Sequence, residues 1–395
     1  MRTYSIKYSF LLLLFLFPFS LFAADGDGGR DFENIANHIV RGDAVLIGNT
    51  VLCPQNVDGS CQDDGTINNA NADLKVITNS SADLNISISN HQITWAGLFW
   101  MGVAQEATTE ATAITNFDAT LAKTITITTP DDVNHTAPWT TTSKLDTYTK
   151  LNGRWFLSYQ AYTDITSIVS NAGTGTYKIN NLYTTTGATN NPDGNFGAWM
   201  IAVIYNDQDI SSSTNLRYVS VFNGFKAILD GAGVPDTDFS ISGFYTPKEG
   251  DVYATMSIFT AEGDKRFGGE SLQIHPHNDP VSTNYTPIIY PGGDLTNVFV
   301  SGISLPSGYP GTLSRSPSLQ YNYAIDLHSM EIGDNADNPR AAQKLITNAE
   351  TGLDIKINTV NDSFYASTVI MSTEIYEPKF CYDYAYSQYG KYFTA

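Results

Sequence analysis

Two kinds of hydrophobic pattern run along the 395-residue chain. The first has a period of two. Lys123–Thr128 puts Ile125 and Ile127 on one face and threonines on the other, and Leu353–Val360 repeats this with Leu353, Ile355 and Ile357 inward. Asp83–Ser89 follows the same rule. Such alternation marks strands buried on one face, as in antiparallel sheets. The second kind is the nearly unbroken apolar run Phe196–Tyr205, which predicts a central strand covered on both faces. Further strands are expected over 43–52, 93–101, 153–162, 175–184, 216–228, 238–245, 252–260, 270–275, 296–300, 321–330 and 363–376.

Helix signals are sparse. Asp164–Asn171 stops before Gly173 and carries Asp164 as a candidate cap. Asn338–Asn348 offers Asn338 as a cap and Pro339 at the first helical position. The expected fold is therefore all-β: a large antiparallel β-sandwich, jelly-roll-like, with one or two short helices. No fixed-period repeat occurs, which argues against a propeller or solenoid. Residues 53–72, rich in Asn, Asp and Gly, and residues 275–320, with seven prolines, read as long loops. The strand expected at 296–300 makes the second an insertion within the domain more than a linker.

A different apolar run opens the chain. Arg2 and Lys7 precede the ten residues Phe10–Phe19, and Ser20–Ala24 ends in small residues. Ten residues fall well short of the roughly 20 that span a bilayer as a helix. Residues 1–24 therefore read as a secretory signal peptide, and the expected location is secreted or at the cell surface. No later apolar run is long enough to form a transmembrane helix. The expected organisation is a signal peptide (1–24), a β-sandwich module (25–376) and an aromatic tail (377–395). In an oxidising compartment Cys53 and Cys61, eight residues apart, are expected to close a small disulfide loop. Closing a loop that short stabilises by about 2–3 kcal/mol in the chain-entropy picture. Cys381 is left odd: a free thiol, or paired with a partner chain or a downstream domain.

Charge narrows the class of partner. The formal net charge of -19 becomes -21 once Arg2 and Lys7 leave with the signal peptide, which contains no acid. That balance opposes nucleic acid and anionic membrane surfaces, since both are bound through clustered Lys and Arg. It suits a soluble extracellular protein, or one whose carboxylates hold Ca²⁺, and the expected partner of such a protein is an extracellular glycan or protein ligand. Oxygen-rich turns supply the candidate calcium ligands: Asp25, Asp27 and Asp31, then Asp193, then Asp334 and Asp337. None has EF-hand spacing. Beyond calcium no cofactor is expected.

The densest charged cluster, Glu262–Glu270, holds Glu262, Asp264 and Glu270, a carboxylate set of the kind glycosidases use. Lys265 and Arg266 lie among them, so a salt-bridged hairpin is the simpler reading. His275-Pro-His277 has two metal-ligand types but no third ligand in view. Arg41-Gly42-Asp43 spells an integrin-type tripeptide, yet Ala44–Gly48 follows at once and makes it a strand entry. Trp95, Phe99, Trp100, Trp139, Trp155 and Trp199 suit an aromatic core. No Gly-x-Ser-x-Gly elbow, His-Glu-x-x-His or phosphate-binding loop occurs.

Eight phrases form one ordered set: Arg41–Asn49, Trp95–Gly102, Gly173–Tyr177, Gly197–Tyr205, Val221–Phe225, Ser242–Phe244, Ala261–Asp264 and Ala324–Leu327. The set resembles the N-terminal module of large bacterial cell-surface, adhesin-like proteins, which often precedes Ig-like repeats. It covers most of residues 40–376. The resemblance implies a surface-exposed β-rich module, adhesive or structural, with no catalytic residues to carry over. Such proteins run on for many hundreds of residues, so the aromatic tail reads either as an edge strand or as the opening of a further domain. The expected function is a non-enzymatic extracellular module for adhesion or ligand contact. The alternative is a carbohydrate-active enzyme or sugar-binding module on a jelly roll.

Overall fold

The computed structural model describes residues 29–377 except 57, 62–73, 152–153, 187–193, 210–213, 231–233, 264, 266, 279–283, 290–292, 306–313, 324 and 335–344. Residues 1–24, expected as a signal peptide, together with Asp25, Asp27, Asp193, Asp264, Asp337, Cys381 and the tail from 378 onward, lie outside the described residues.

The fold is all-β, as expected, but deeper than one sandwich: among the described residues four large sheets are stacked around three cores, with a two-stranded sheet of Leu52–Pro54 and Leu74–Val76 beside them. The largest sheet has six strands in the order Gly29–Val40, Arg217–Leu229, Ser363–Glu374, Ala254–Ala261, Ile325–Glu331 and Ile303–Ser304. Against one face packs a five-stranded sheet ordered Gly42–Thr50, Gly197–Asp207, His91–Ala107, Trp155–Asp164 and Lys144–Leu151. The core between them contains Leu46, Phe99, Met200, Val221, Phe259, Leu327 and Tyr365. These two are the inner sheets.

Each inner sheet is covered on its far face by an outer one. Arg315–Ser316, Ser80–Leu84, Gly175–Asn180, Thr126–Thr128 and Asn134–Thr136 form a small five-stranded sheet. It shares a core of Ile47, Trp100, Ile127, Tyr177 and Trp199 with the inner five-stranded sheet. Asp236–Ser242, Gly352–Asn358, Ser271–Pro276 and Thr286–Ile288 form a four-stranded sheet. It covers the six-stranded sheet over Ile258, Ile274, Ile355, Phe364 and Val369.

This layering accounts for the two sequence patterns. In an inner strand successive side chains point alternately into two cores, so Met200 and Ile204 face one core while Trp199, Ile201 and Val203 face the other. Every residue is apolar and the run is continuous. An outer strand has a single core, so Ile125 and Ile127, or Leu353, Ile355 and Ile357, alternate with polar residues. Burying one Phe or Leu fully contributes about 1.5–3 kcal/mol, which makes the inner strands the main source of stability. Gly48 permits the tight inner packing: a Cβ there would stand 2.5 Å from the Trp199 carbonyl oxygen.

A polar seam crosses the core between the inner sheets. Arg30 donates to both oxygens of Asp146, at 2.8 and 2.9 Å, and to the Asn223 carbonyl at 2.8 Å. Gln160 donates to Asp146 at 2.8 Å, and Asn223 Nδ2 donates to Gln160 at 3.2 Å and to the Ser367 carbonyl at 3.0 Å. Ser367 Oγ closes the set on Gln160 at 2.9 Å. Gln160, Asn223 and Ser367 are wholly buried.

Several expectations need correction. Residues 296–300 are not a strand. The Phe299 N–H donates to Glu270 and the Val300 N–H to Asp326, so carboxylates take the donors that a neighbouring strand would use. Of the helix expected over 338–348, Leu345–Asn348 is not helical and the rest lies outside the described residues. The helix near Asp164 spans Thr166–Ala172, and the Asp164 carboxylate accepts the Thr166 N–H at 2.8 Å. Two more short helices, Glu110–Thr115 and Ala119–Lys123, start at Thr109 and Asp118, whose side chains accept backbone N–H groups. That makes three among the described residues rather than one or two. The proline-rich segment, expected as a long loop, contributes Thr286–Ile288, Ile303–Ser304 and Arg315–Ser316 to three different sheets. Arg41 and Asp43 pair with Glu377 and Arg217 at the entry to Gly42–Thr50, as a strand entry requires.

Candidate functional site

The Glu262–Glu270 segment leaves the inner strand Ala254–Ala261 and enters the outer strand Ser271–Pro276. Its two described carboxylates are turned to separate tasks. Glu262, at φ 69°, accepts from Lys150 at 2.8 Å, with both side chains largely covered. The crevice they share with Phe156, Gly194 and Tyr365 has no room for a water molecule. Glu270 is wholly buried and accepts the Phe299 N–H at 3.2 Å. Lys265 is exposed at the turn, and its carbonyl accepts from Asn297 at 3.2 Å.

Glu270 belongs to a sealed acid cluster that sequence reasoning missed. Asp326 and His328, both wholly buried, lie on Ile325–Glu331, and Asp362 lies in the turn before Ser363–Glu374. Asp326 Oδ1 accepts from the Val300 N–H (2.9 Å), the Gly302 N–H (2.7 Å) and His328 Nε2 (3.1 Å). Its Oδ2 has no hydrogen-bond partner, nor does Glu270 Oε1. Burial, then the Asp362 carboxyl and more weakly Asp326, push the Glu270 pKa up to about 11, against the Phe299 N–H. An ionised Glu270 has no donor for Oε1, whereas a protonated one can donate to Asp362. Burial also raises Asp326, opposed by His328 and the two backbone N–H groups. The signal was present in the sequence. Asp326 and His328 share a face with Met330, while Ile325 and Leu327 fill the opposite face, so two ionisable residue types stand at core-facing positions.

Of the candidate calcium ligands, Asp31 and Asp334 are among the described residues, and they stand on separate segments. Asp31 lies within the edge strand Gly29–Val40, not in a turn, and pairs with Lys226 at 2.6 Å. Asp334 follows Ile325–Glu331, where its carbonyl accepts the Val252 N–H at 2.9 Å. Among the described residues no three or more His, Cys, Asp or Glu side chains are already gathered in a metal-holding arrangement. Cys53 and Cys61 form the expected disulfide. Trp100 and Trp199 are wholly buried, while Trp139 is 37% exposed and packs edge-on against Trp100 with Lys123 over its ring.

An open cleft of about 590 Å³ lies where the described chain ends. Lys248, Glu249, Asp251, Tyr376 and Glu377 line it, and Lys248 Nζ sits 4.9 Å above the Tyr376 ring. Tyr245 meets Tyr376 edge-on at 6.0 Å. No described helix is long and apolar enough to cross a membrane.

No family model and no curated protein matches the chain. Among solved structures it is similar to N-glycanase F (PNGase F), at 10% identity over 85% of this chain and 97% of that one, with a TM-score of 0.20. An overlap that loose transfers no chemistry.

Proposed function

We propose that the chain is a non-enzymatic extracellular β-sandwich module that contacts a glycan or protein ligand at a bacterial cell surface. The observation that carries this reading is the fate of the 262–270 carboxylates. A glycoside-cleaving pair must face one scissile bond from opposite sides, with solvent or substrate between the two groups. Glu270 is wholly buried and Glu262 is neutralised by Lys150, which leaves no room for a substrate beside it. The disulfide between Cys53 and Cys61 suits an oxidising, extracellular setting. Ligand contact is assigned to the cleft around Tyr376, where an aromatic pair meets exposed charges of both signs.

The test uses the mature protein on glycan and matrix-protein arrays, with product analysis on every bound glycan. Saturable binding without cleavage, weakened by Tyr376→Ala and untouched by Glu262→Gln, is the expected result. Release of sugar that Glu262→Gln abolishes would overturn the reading in favour of a carbohydrate-active enzyme.

A further inference from the structure

The outer face of the four-stranded sheet gathers a set of side chains that the proposed ligand contact does not use. In its register Ser240 stands opposite Asp354, and Asp354 stands opposite His275. Leu353 and Ile355 face the core, so Asp354 between them faces solvent, and so do His275 and His277, which flank Pro276. Tyr285, just before the edge strand Thr286–Ile288, extends the row, its ring 5.9 Å from that of His275. Three paired strand positions and the residue before the edge strand therefore present Ser, Asp, His and Tyr in line, with His277 diagonal to the Asp.

His277 is directed toward Asp354 by what lies opposite it. Its N–H donates to the Gly352 carbonyl at 2.9 Å, and a Cβ on Gly352 would come within 2.5 Å of His277 Nδ1. The bare glycine leaves the space that the imidazole occupies. From there His277 Nε2 reaches Asp354 Oδ1 at 3.1 Å, while His275 Nδ1 lies 3.6 Å from Oδ2. Ser240 Oγ donates to Asp354 Oδ1 at 2.6 Å and orients the carboxylate. The three side chains are 20%, 34% and 32% exposed for His275, His277 and Asp354, so an ion can reach them from solvent. Lys356, two residues from Asp354 on the same face, is occupied by Asp236 at 2.7 Å.

We propose that His275, His277 and Asp354 form a binding site for a zinc-class divalent transition metal. Two imidazoles and one carboxylate are the ligand types such ions prefer, and calcium, which takes six to eight oxygens, is poorly served. Ligand atoms 2.0–2.1 Å from a tetrahedral zinc stand about 3.3 Å apart, and the two His–Asp separations bracket that distance. The side chains do not yet surround one point, because each imidazole engages a different oxygen of Asp354. His275 and Asp354 are paired in the sheet, and His277, in the turn after Pro276, is held beside them by its backbone N–H on the Gly352 carbonyl, so side-chain torsions alone close the set. A metal replaces the His277–Asp354 hydrogen bond, Ser240 holds the carboxylate from outside, and an open position remains for water or an incoming ligand.

The experiment is a calorimetric titration of the chelator-treated mature protein with Zn²⁺, and with Ca²⁺ in parallel, alongside histidine NMR shifts. One saturable zinc site is expected, with His275 and His277 resonances shifting together and no response to Ca²⁺ at these residues. His275→Ala, His277→Ala and Asp354→Asn should each weaken zinc binding by about tenfold or more. Their metal-free melting temperatures should match that of the wild type, which excludes misfolding as the cause. Absence of saturable zinc binding would overturn the site, as would undiminished binding in the His275→Ala/His277→Ala double variant. Undiminished binding in Asp354→Asn would equally exclude the carboxylate and with it the three-ligand site.

Discussion

Asn223 and Glu270 are both wholly buried polar side chains, one in the seam between the inner sheets and one at the end of the outer sandwich. Around Asn223 every described partner is answered: Arg30 neutralises Asp146, Gln160 bridges Asp146 to Asn223 and Ser367, and each amide donates as well as accepts. Around Glu270 the supply of donors fails. Three carboxyl groups, Glu270, Asp326 and Asp362, share a few backbone N–H groups and one imidazole, and two carboxylate oxygens go without a partner. A complete network fixes the register of the two sheets it joins, because any shift breaks several bonds at once. An incomplete one resolves its shortage by keeping a proton, and so makes stability depend on pH.

The sharpest way to break this comparison is to damage the complete network. Asn223→Ala strands the Arg30 and Gln160 groups that bonded to it, and should cost about 3 kcal/mol in urea unfolding. A loss below about 1 kcal/mol would mean that water or rotamer changes repair the seam. Next in size is Arg30→Ala, expected to cost about 2 kcal/mol because Asp146 is left largely covered without its cation. Replacing both, as Arg30→Met with Asp146→Leu, should cost less than Arg30→Ala alone, and a double-mutant cycle reads the coupling directly.

The incomplete cluster should respond in the opposite direction. Between the ordinary glutamate value near 4.5 and the folded value of about 11, folded Glu270 holds a proton that the unfolded chain has lost. The unfolded state then binds fewer protons, so stability falls as pH rises through that window. Glu270→Gln removes the liability while keeping a donor toward Asp362. It should raise stability at pH 8 by on the order of 1 kcal/mol and flatten the stability–pH slope above pH 5. A destabilised variant with an unchanged slope would show that Glu270 is ionised and needed as such. As a surface control, Lys178→Ala breaks a pair with the highly exposed Asp132 and should change stability by under about 0.5 kcal/mol.

The same contrast separates what was legible in the sequence from what was not. Strand positions and burial were readable wherever one layer dictated the pattern, as at Ile125 and Ile127 or along Phe196–Tyr205. Gly29–Val40 was not readable, because it is an edge strand with two register irregularities and mixed exposure. Lys144–Leu151, the edge of the inner five-stranded sheet, shows no clean alternation for a similar reason. Residues 296–300 misled through their Val-Phe-Val run: the side chains are strand-like, but their backbone donors go to Glu270 and Asp326. The candidate site suffered from sequence distance. Glu262 and Glu270 look paired in the chain, yet their partners, Lys150 and Asp362, lie about a hundred residues away on either side. His275 and His277 lacked a third ligand for the same reason, since Asp354 comes from the neighbouring strand.

The most direct measurement is the protonation state of Glu270 itself, read from its side-chain carboxyl carbon by ¹³C NMR and assigned with Glu270→Gln. A sealed structural acid should remain protonated through pH 8, with a titration that does not begin in the acidic range. An ionisation between about pH 4 and 7, open to solvent, is the behaviour of a working catalytic carboxyl. That result would contradict the reading of 262–270 as structure and return the chain to the enzymes.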